Sequence, residues 1–98
     1  MKPYIVKLLP EAEIELAYAC KWYNKRQTGL GGKLLNEVNS YLELIAANPL
    51  QYNVRFSNKY RFASLYMFPY FIVYRVDEDE HTVIVNAVFH TSRDPQKF

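Results

Sequence analysis

Five side chains stand out for their chemistry: His90, Arg61, Arg75, Arg93 and Lys59. Imidazole, with an ordinary pKa of about 6.5, can take or give a proton near neutrality. An arginine fork matches the geometry of a phosphate and can stabilise charge on it, and lysine adds a point charge. Each has a plainer reading beside that one. His90 could be a strand-end histidine hydrogen-bonded to Asp94 or to a backbone carbonyl. Arg75 lies close in sequence to the acidic run Asp77, Glu78, Asp79 and Glu80, and a salt bridge there is the simpler expectation. Arg93 could pair with Asp94 or with helix acids. Arg61 could lie on a solvated sheet face, but it is the most open of the set to a functional role.

Charge is segregated around these residues. Residues 50–76 hold Arg55, Lys59, Arg61 and Arg75 and no acid, and the acidic run follows. A basic face is therefore available although the net charge is only +2, far from the strongly basic balance of most nucleic-acid binders. Tyr52, Tyr60, Tyr66, Tyr70 and Tyr74 could stack on bases. Most are better spent in the core or against a protein partner, where tyrosine is favoured because one end is apolar and the other wet.

Other chemistries fail on spacing. Gly31-Gly32-Lys33 lacks the preceding strand, the earlier glycine and the hydroxyl of a phosphate loop, since Leu34 follows. No His, Cys, Asp and Glu set has metal-ligand spacing, so neither metal nor cofactor is expected. Cys20 is the single cysteine, which excludes an internal disulfide and fits a reducing compartment. The start of the chain has no secretory signal pattern, and the longest apolar run falls short of the ~20 residues that span a bilayer. The expectation is a cytoplasmic protein without a membrane role.

Ninety-eight residues, half of them hydrophobic, make one domain (1–98) with enough apolar mass for a core. Residues 4–9 read as a first strand. Pro10 opens a helix over 10–26, with early glutamates favoured by the helix dipole and no side-chain cap from Leu9. Ala12, Leu16, Ala19, Cys20 and Tyr23 form its core stripe. Ile14, Tyr18 and Trp22 form a second apolar stripe beside it, which implies either a deeply buried helix or a partner on that face. A glycine-rich turn leads to a second helix over 30–47, with Leu34, Val38, Tyr41, Leu42 and Ile45 facing inward and Asn48-Pro49 as its stop.

After a loop over 50–58, two strands are expected at 59–67 and 70–76. They reverse around Phe68-Pro69 and form the middle of a small sheet. A turn over 77–81 and a last strand over 82–90 complete the chain. Alternation along that strand puts Val83, Val85, Ala87 and Phe89 on one face, and Ile84, Asn86, Val88 and His90 on the other, more polar face. The fold class is α+β, in the order β-α-α-β-β-β, with a helical hairpin packed on a mostly antiparallel sheet.

Phe68-Pro69-Tyr70-Phe71-Ile72-Val73-Tyr74-Arg75-Val76, followed by Val85-Asn86-Ala87-Val88-Phe89-His90-Thr91-Ser92-Arg93-Asp94-Pro95, resembles the RelE/ParE superfamily. These are the toxins of bacterial type II toxin–antitoxin modules, also called plasmid stabilisation proteins. The resemblance covers nearly the whole chain and implies growth inhibition and a cognate antitoxin as partner, while the second apolar stripe and the aromatic hairpin imply a free chain that is marginally stable or self-associates. It places Ile14, Tyr18 and Trp22 on the antitoxin-binding surface. It also implies one of two targets. In a ribosome-dependent mRNA endoribonuclease, His90 would move the proton and Arg61 would stabilise the scissile phosphate. Lys59, Arg61, Arg75 and Arg93 would contact target or phosphate. In a ParE-like toxin the target is DNA gyrase, which is bound rather than cut. A third class is a non-toxic module that keeps only the antitoxin-docking surface. Phe71 stands where RNA-cleaving relatives commonly carry arginine, and Thr91 follows His90 where some carry tyrosine. The pattern is nearer the ParE branch.

Overall fold

The computed structural model describes residues 2–55 and 58–93. The order is β1 (Ile5–Leu8), α1 (Pro10–Arg26), α2 (Leu30–Ala47), a 3-10 turn (Pro49–Gln51), β2 (Arg61–Ser64), β3 (Tyr70–Asp77) and β4 (Thr82–His90). Both helices fall on their expected boundaries. Leu9 sits extended before Pro10 at φ −65° and ψ 153°, with no side-chain cap. Gly29 takes φ +88°, a left-handed turn that glycine adopts without strain, and α2 follows at once. Gly31 lies where the helices cross. A Cβ there would stand 2.3 Å from the Cys20 carbonyl oxygen. The Gly31 N–H instead donates to Asn24 Oδ1 at 2.8 Å.

The sheet order is β1-β4-β3-β2, with β1 parallel to β4 and the other pairs antiparallel. The β2–β3 hairpin is therefore not the middle of the sheet. Pairing of β1 with β4 makes β4 and β3 the central strands and leaves β2 at an edge. β2 is also shorter than the expected 59–67, because the N–H groups of Tyr66 and Met67 leave the ladder and donate to Glu37 Oε2 on α2, at 3.1 and 2.8 Å.

One face of the sheet carries the helices. Ala12, Leu16 and Ala19 of α1 and Leu34, Val38 and Ile45 of α2 pack there on Ala63, Ile72, Tyr74, Val83, Val85 and Val88. The far face carries a smaller buried cluster, Phe62, Val73, Ala87 and Phe89, flanked by Tyr60 and Phe71. This division corrects the alternation expected for β4. Val73 pairs with Ala87 but Tyr74 pairs with Val85, so Asn86 is an extra residue, a β-bulge. A one-residue slip inverts every side chain beyond it. Val83 and Val85 face the helices, whereas Ala87 and Phe89 face away; Val88 and His90 are brought onto the helical face.

Candidate functional site

The bulge determines where His90 points. His90 pairs with Tyr70 across β3–β4, and the two rings meet edge to face with centroids 5.2 Å apart. Nearby on α1 are Tyr18 and Trp22. One cleft of about 290 Å³ is lined by Ile14, Glu15, Tyr18, Ala19, Tyr70, Val88, Phe89, His90 and Arg93. A second of the same size adjoins it, lined by Tyr18, Trp22, Tyr23, Tyr70, His90, Ser92 and Arg93. The second apolar stripe of α1 and the strand-end histidine thus form one continuous surface. Ile14, Tyr18 and Trp22 are 68%, 70% and 42% exposed. The Arg26 guanidinium lies 4.4 Å above the Trp22 ring and holds that indole in place.

His90 Nδ1 receives the Ser92 backbone N–H at 3.1 Å and lies 2.8 Å from Ser92 Oγ. A backbone N–H can only donate, so Nδ1 is the acceptor and Nε2 carries the proton of the neutral ring. Arg93 follows in a turn closed by its own N–H on the His90 carbonyl at 3.0 Å. Burial pushes the Tyr70 hydroxyl above its ordinary range, neighbouring Tyr23 adds to this, and the Arg93 charge opposes it. Arg93 makes no ion pair among the described residues. The pairings of His90 or Arg93 with Asp94 concern a residue outside those described.

The other basic candidates lie elsewhere. Arg61 pairs with Tyr74 in the β2–β3 ladder, and its Nη1 donates to the Tyr52 carbonyl at 2.6 Å. There it ties the segment after the 3-10 turn to the sheet. The Tyr74 hydroxyl donates to the Pro49 carbonyl beside it. Desolvation raises Tyr74 far above the tyrosine range, although Arg61 pulls the other way. Arg75 belongs to the far face, and among the described residues it pairs with none of the acids of the 77–80 turn. Within that turn Asp77 accepts the Glu80 N–H and Glu78 accepts the Tyr4 hydroxyl. Lys59 lies over the Tyr60 ring with Nζ 5.1 Å from its centroid.

Two further residues brace the sheet, Glu15 beside the His90 cleft and Arg55 on the far face. Glu15 Oε1 accepts the Val88 N–H at 3.0 Å, so α1 grips β4 beyond the end of β1. Arg55 lies 5.3 Å from the Phe71 ring centroid and 5.9 Å from that of Phe62, over the far-face aromatic cluster. Phe71, in the place of an arginine in RNA-cleaving relatives, is part of that cluster, on the opposite side of the sheet from His90. Among the described residues there is no group of His, Cys, Asp and Glu able to hold a metal ion, and no helix long and apolar enough to cross a membrane.

Comparison with known proteins agrees with this architecture. No curated protein matches the chain at a significant level. Among solved structures, the chromosomal ParDE toxin–antitoxin system of P. aeruginosa superposes with a TM-score of 0.77 at 14% identity, over 91% of this chain and 97% of that one. The intact E. coli RelBE complex gives 0.71 at 20% identity, over 92% and 99%. The RelBE2 complex of Mycobacterium tuberculosis gives 0.67 at 21%, over 95% and 97%. At these identities the likeness is one of fold. The family model for the ParE toxin of the type II toxin–antitoxin system parDE matches residues 6–95. With nearly its whole length covered by that match, this chain belongs to the ParE toxin family of the RelE/ParE superfamily.

Proposed function

We propose that this toxin arrests growth by binding an essential protein target such as DNA gyrase, and that a cognate antitoxin neutralises it. The observation that carries the reading is the separation of Arg61 from His90. A phosphodiester cleavage site needs its proton carrier and its charge stabiliser within reach of one phosphate. Tyr74, which pairs with Arg61, lies four residues along β3 from Tyr70, which pairs with His90. That is roughly 13 Å of strand at ~3.3 Å per residue. Arg61 is moreover engaged with the Tyr52 carbonyl. Phe71 stands where relatives carry arginine, and the Arg55 charge over its ring belongs to the side of the sheet opposite His90. Lys59 and Arg75 then serve as long-range charge or target contacts rather than as parts of a catalytic centre.

The antitoxin in this reading covers Ile14, Tyr18 and Trp22. Its segment is disordered when free, acidic to amphipathic, and folds on the toxin. The His90 and Arg93 end of the cleft offers it a basic terminus. Without antitoxin, the same stripe drives self-association. The reading includes action in the cytoplasm and, for a plasmid-borne module, plasmid stabilisation.

One observation favours ribosome-dependent endoribonuclease activity instead. His90 and Arg93 line the same cleft, so a proton carrier and a phosphate fork are available without Arg61. Induced expression with separate readouts of translation and DNA supercoiling distinguishes the two. Lost supercoiling with translation initially intact supports a gyrase-type toxin. The reverse supports the nuclease. Growth without arrest would leave the non-toxic binding module.

A further inference from the structure

The connection from β2 to β3 is built to hold two large apolar side chains in solvent. Tyr66 is 89% exposed and Met67 64%, whereas Leu65 and Phe68 on either side of them are buried. Phe68 meets the Tyr23 ring edge to face at 5.0 Å, and the Leu65 N–H donates to the Tyr70 carbonyl at 2.9 Å. A mobile turn would carry Gly, Asn, Asp or Ser at its tip. Here the outer residues plug the core, and the Glu37 carboxylate clamps both tip N–H groups through one oxygen, Oε2. Bonds to a carboxylate are roughly twice as strong as neutral ones. Glu37 Oε1 is buried with no hydrogen-bond partner among the described residues, a cost the clamp incurs.

We propose that the Tyr66–Met67 tip is the element that engages the protein target, inserting both side chains into an apolar socket flanked by a carboxylate that meets Lys33. This rests on the reading of the chain as a binding toxin. Lys33 lines the same groove as Met67 and Glu37 and makes no ion pair among the described residues, so it supplies the complementary charge. The groove argues against a nucleic-acid occupant. Lys33 and Glu37 leave it without the net positive charge that draws a phosphate backbone, so the exposed Tyr66 ring is better suited to a protein socket than to a base. A preformed tip loses little conformational entropy on docking, which is how rigid aromatic anchors gain affinity.

The test uses the double variant Tyr66→Ser/Met67→Ser, with growth arrest at graded induction, melting temperature, and neutralisation by the antitoxin encoded in the neighbouring reading frame. The expected result is at least about a tenfold loss of potency, the scale of a removed anchor, with melting temperature and neutralisation unchanged. Glu37→Ala, which frees the tip but keeps its side chains, is expected to lower potency as well, and Glu37→Gln, whose amide oxygen still accepts, to restore it. Full potency in the double variant overturns the proposal while leaving the toxin reading intact. Retained arrest with lost neutralisation assigns the tip to the antitoxin and overturns it too. Absence of arrest by the wild type removes both the toxin reading and this inference.

Discussion

Arg61 and His90 share the helical face of the sheet but stand on opposite flanks of β3 and four residues apart along it, one paired with Tyr74 and the other with Tyr70. Substitutions at the two sites should therefore act independently. Arg61→Ala removes the bond to the Tyr52 carbonyl and should lower stability by about 1–2 kcal/mol, seen in denaturant unfolding. His90→Ala removes the contacts with Ser92 and Tyr70 and part of the cleft wall and should leave a folded, toxic protein. Were His90 a general acid or base, its loss would cost about 10²–10⁴-fold in activity, and toxicity would disappear with the fold intact.

Trp22→Ala tests the exposed stripe. If Trp22 anchors the antitoxin, the complex should weaken by roughly 2 kcal/mol or more, measured by calorimetric titration, and beyond any loss of stability in the free toxin from the contacts of the half-buried ring with Tyr23 and Arg26. An unchanged dissociation constant would count against the stripe as the antitoxin seat. The same substitution should reduce self-association of the free toxin in sedimentation.

The helix crossing leaves no room for a side chain at Gly31. Gly31→Ala forces a methyl group to within 2.3 Å of the Cys20 carbonyl oxygen, so α1 and α2 must move apart. Overpacking of this kind costs about 1–3 kcal/mol. Gly32→Ala, with open space around its Cβ, should leave the melting temperature unchanged or raise it slightly.

Tyr74 makes stability depend on alkaline pH. Burial raises its hydroxyl above the ordinary value of about 10, so the unfolded chain loses that proton first. The contribution is fully present below pH ~10 and is lost as pH climbs from there toward the folded value. Melting temperature should fall over this range. Tyr74→Phe should flatten the decline, and at neutral pH it should cost about 1 kcal/mol through the lost bond to the Pro49 carbonyl.

The helices were legible because a period of 3.6 with Pro10, the glycine turn and Asn48-Pro49 leaves few alternatives. The span of β4 was legible as well, but not its faces. One extra residue, Asn86, inverts the alternation after it, and nothing in the local composition marks it. That inversion joins His90 to the Tyr18 and Trp22 surface, so a site read as two separate features is one cleft. The parallel pairing of β1 with β4 was equally hidden, since it depends on contacts some 77 residues apart, such as Ile5 with Thr82. Glu15 looked like an ordinary helix acid until the unpaired Val88 N–H gave it a partner.

The central claim is that this toxin poisons by binding rather than by cutting. The most direct measurement places purified toxin with DNA gyrase in a supercoiling assay, and with ribosomes carrying mRNA in a cleavage assay, each beside His90→Ala. Inhibited supercoiling by both proteins with no mRNA cuts from either is the predicted result. Codon-dependent cuts by the wild type that vanish in His90→Ala, with supercoiling untouched, would contradict it.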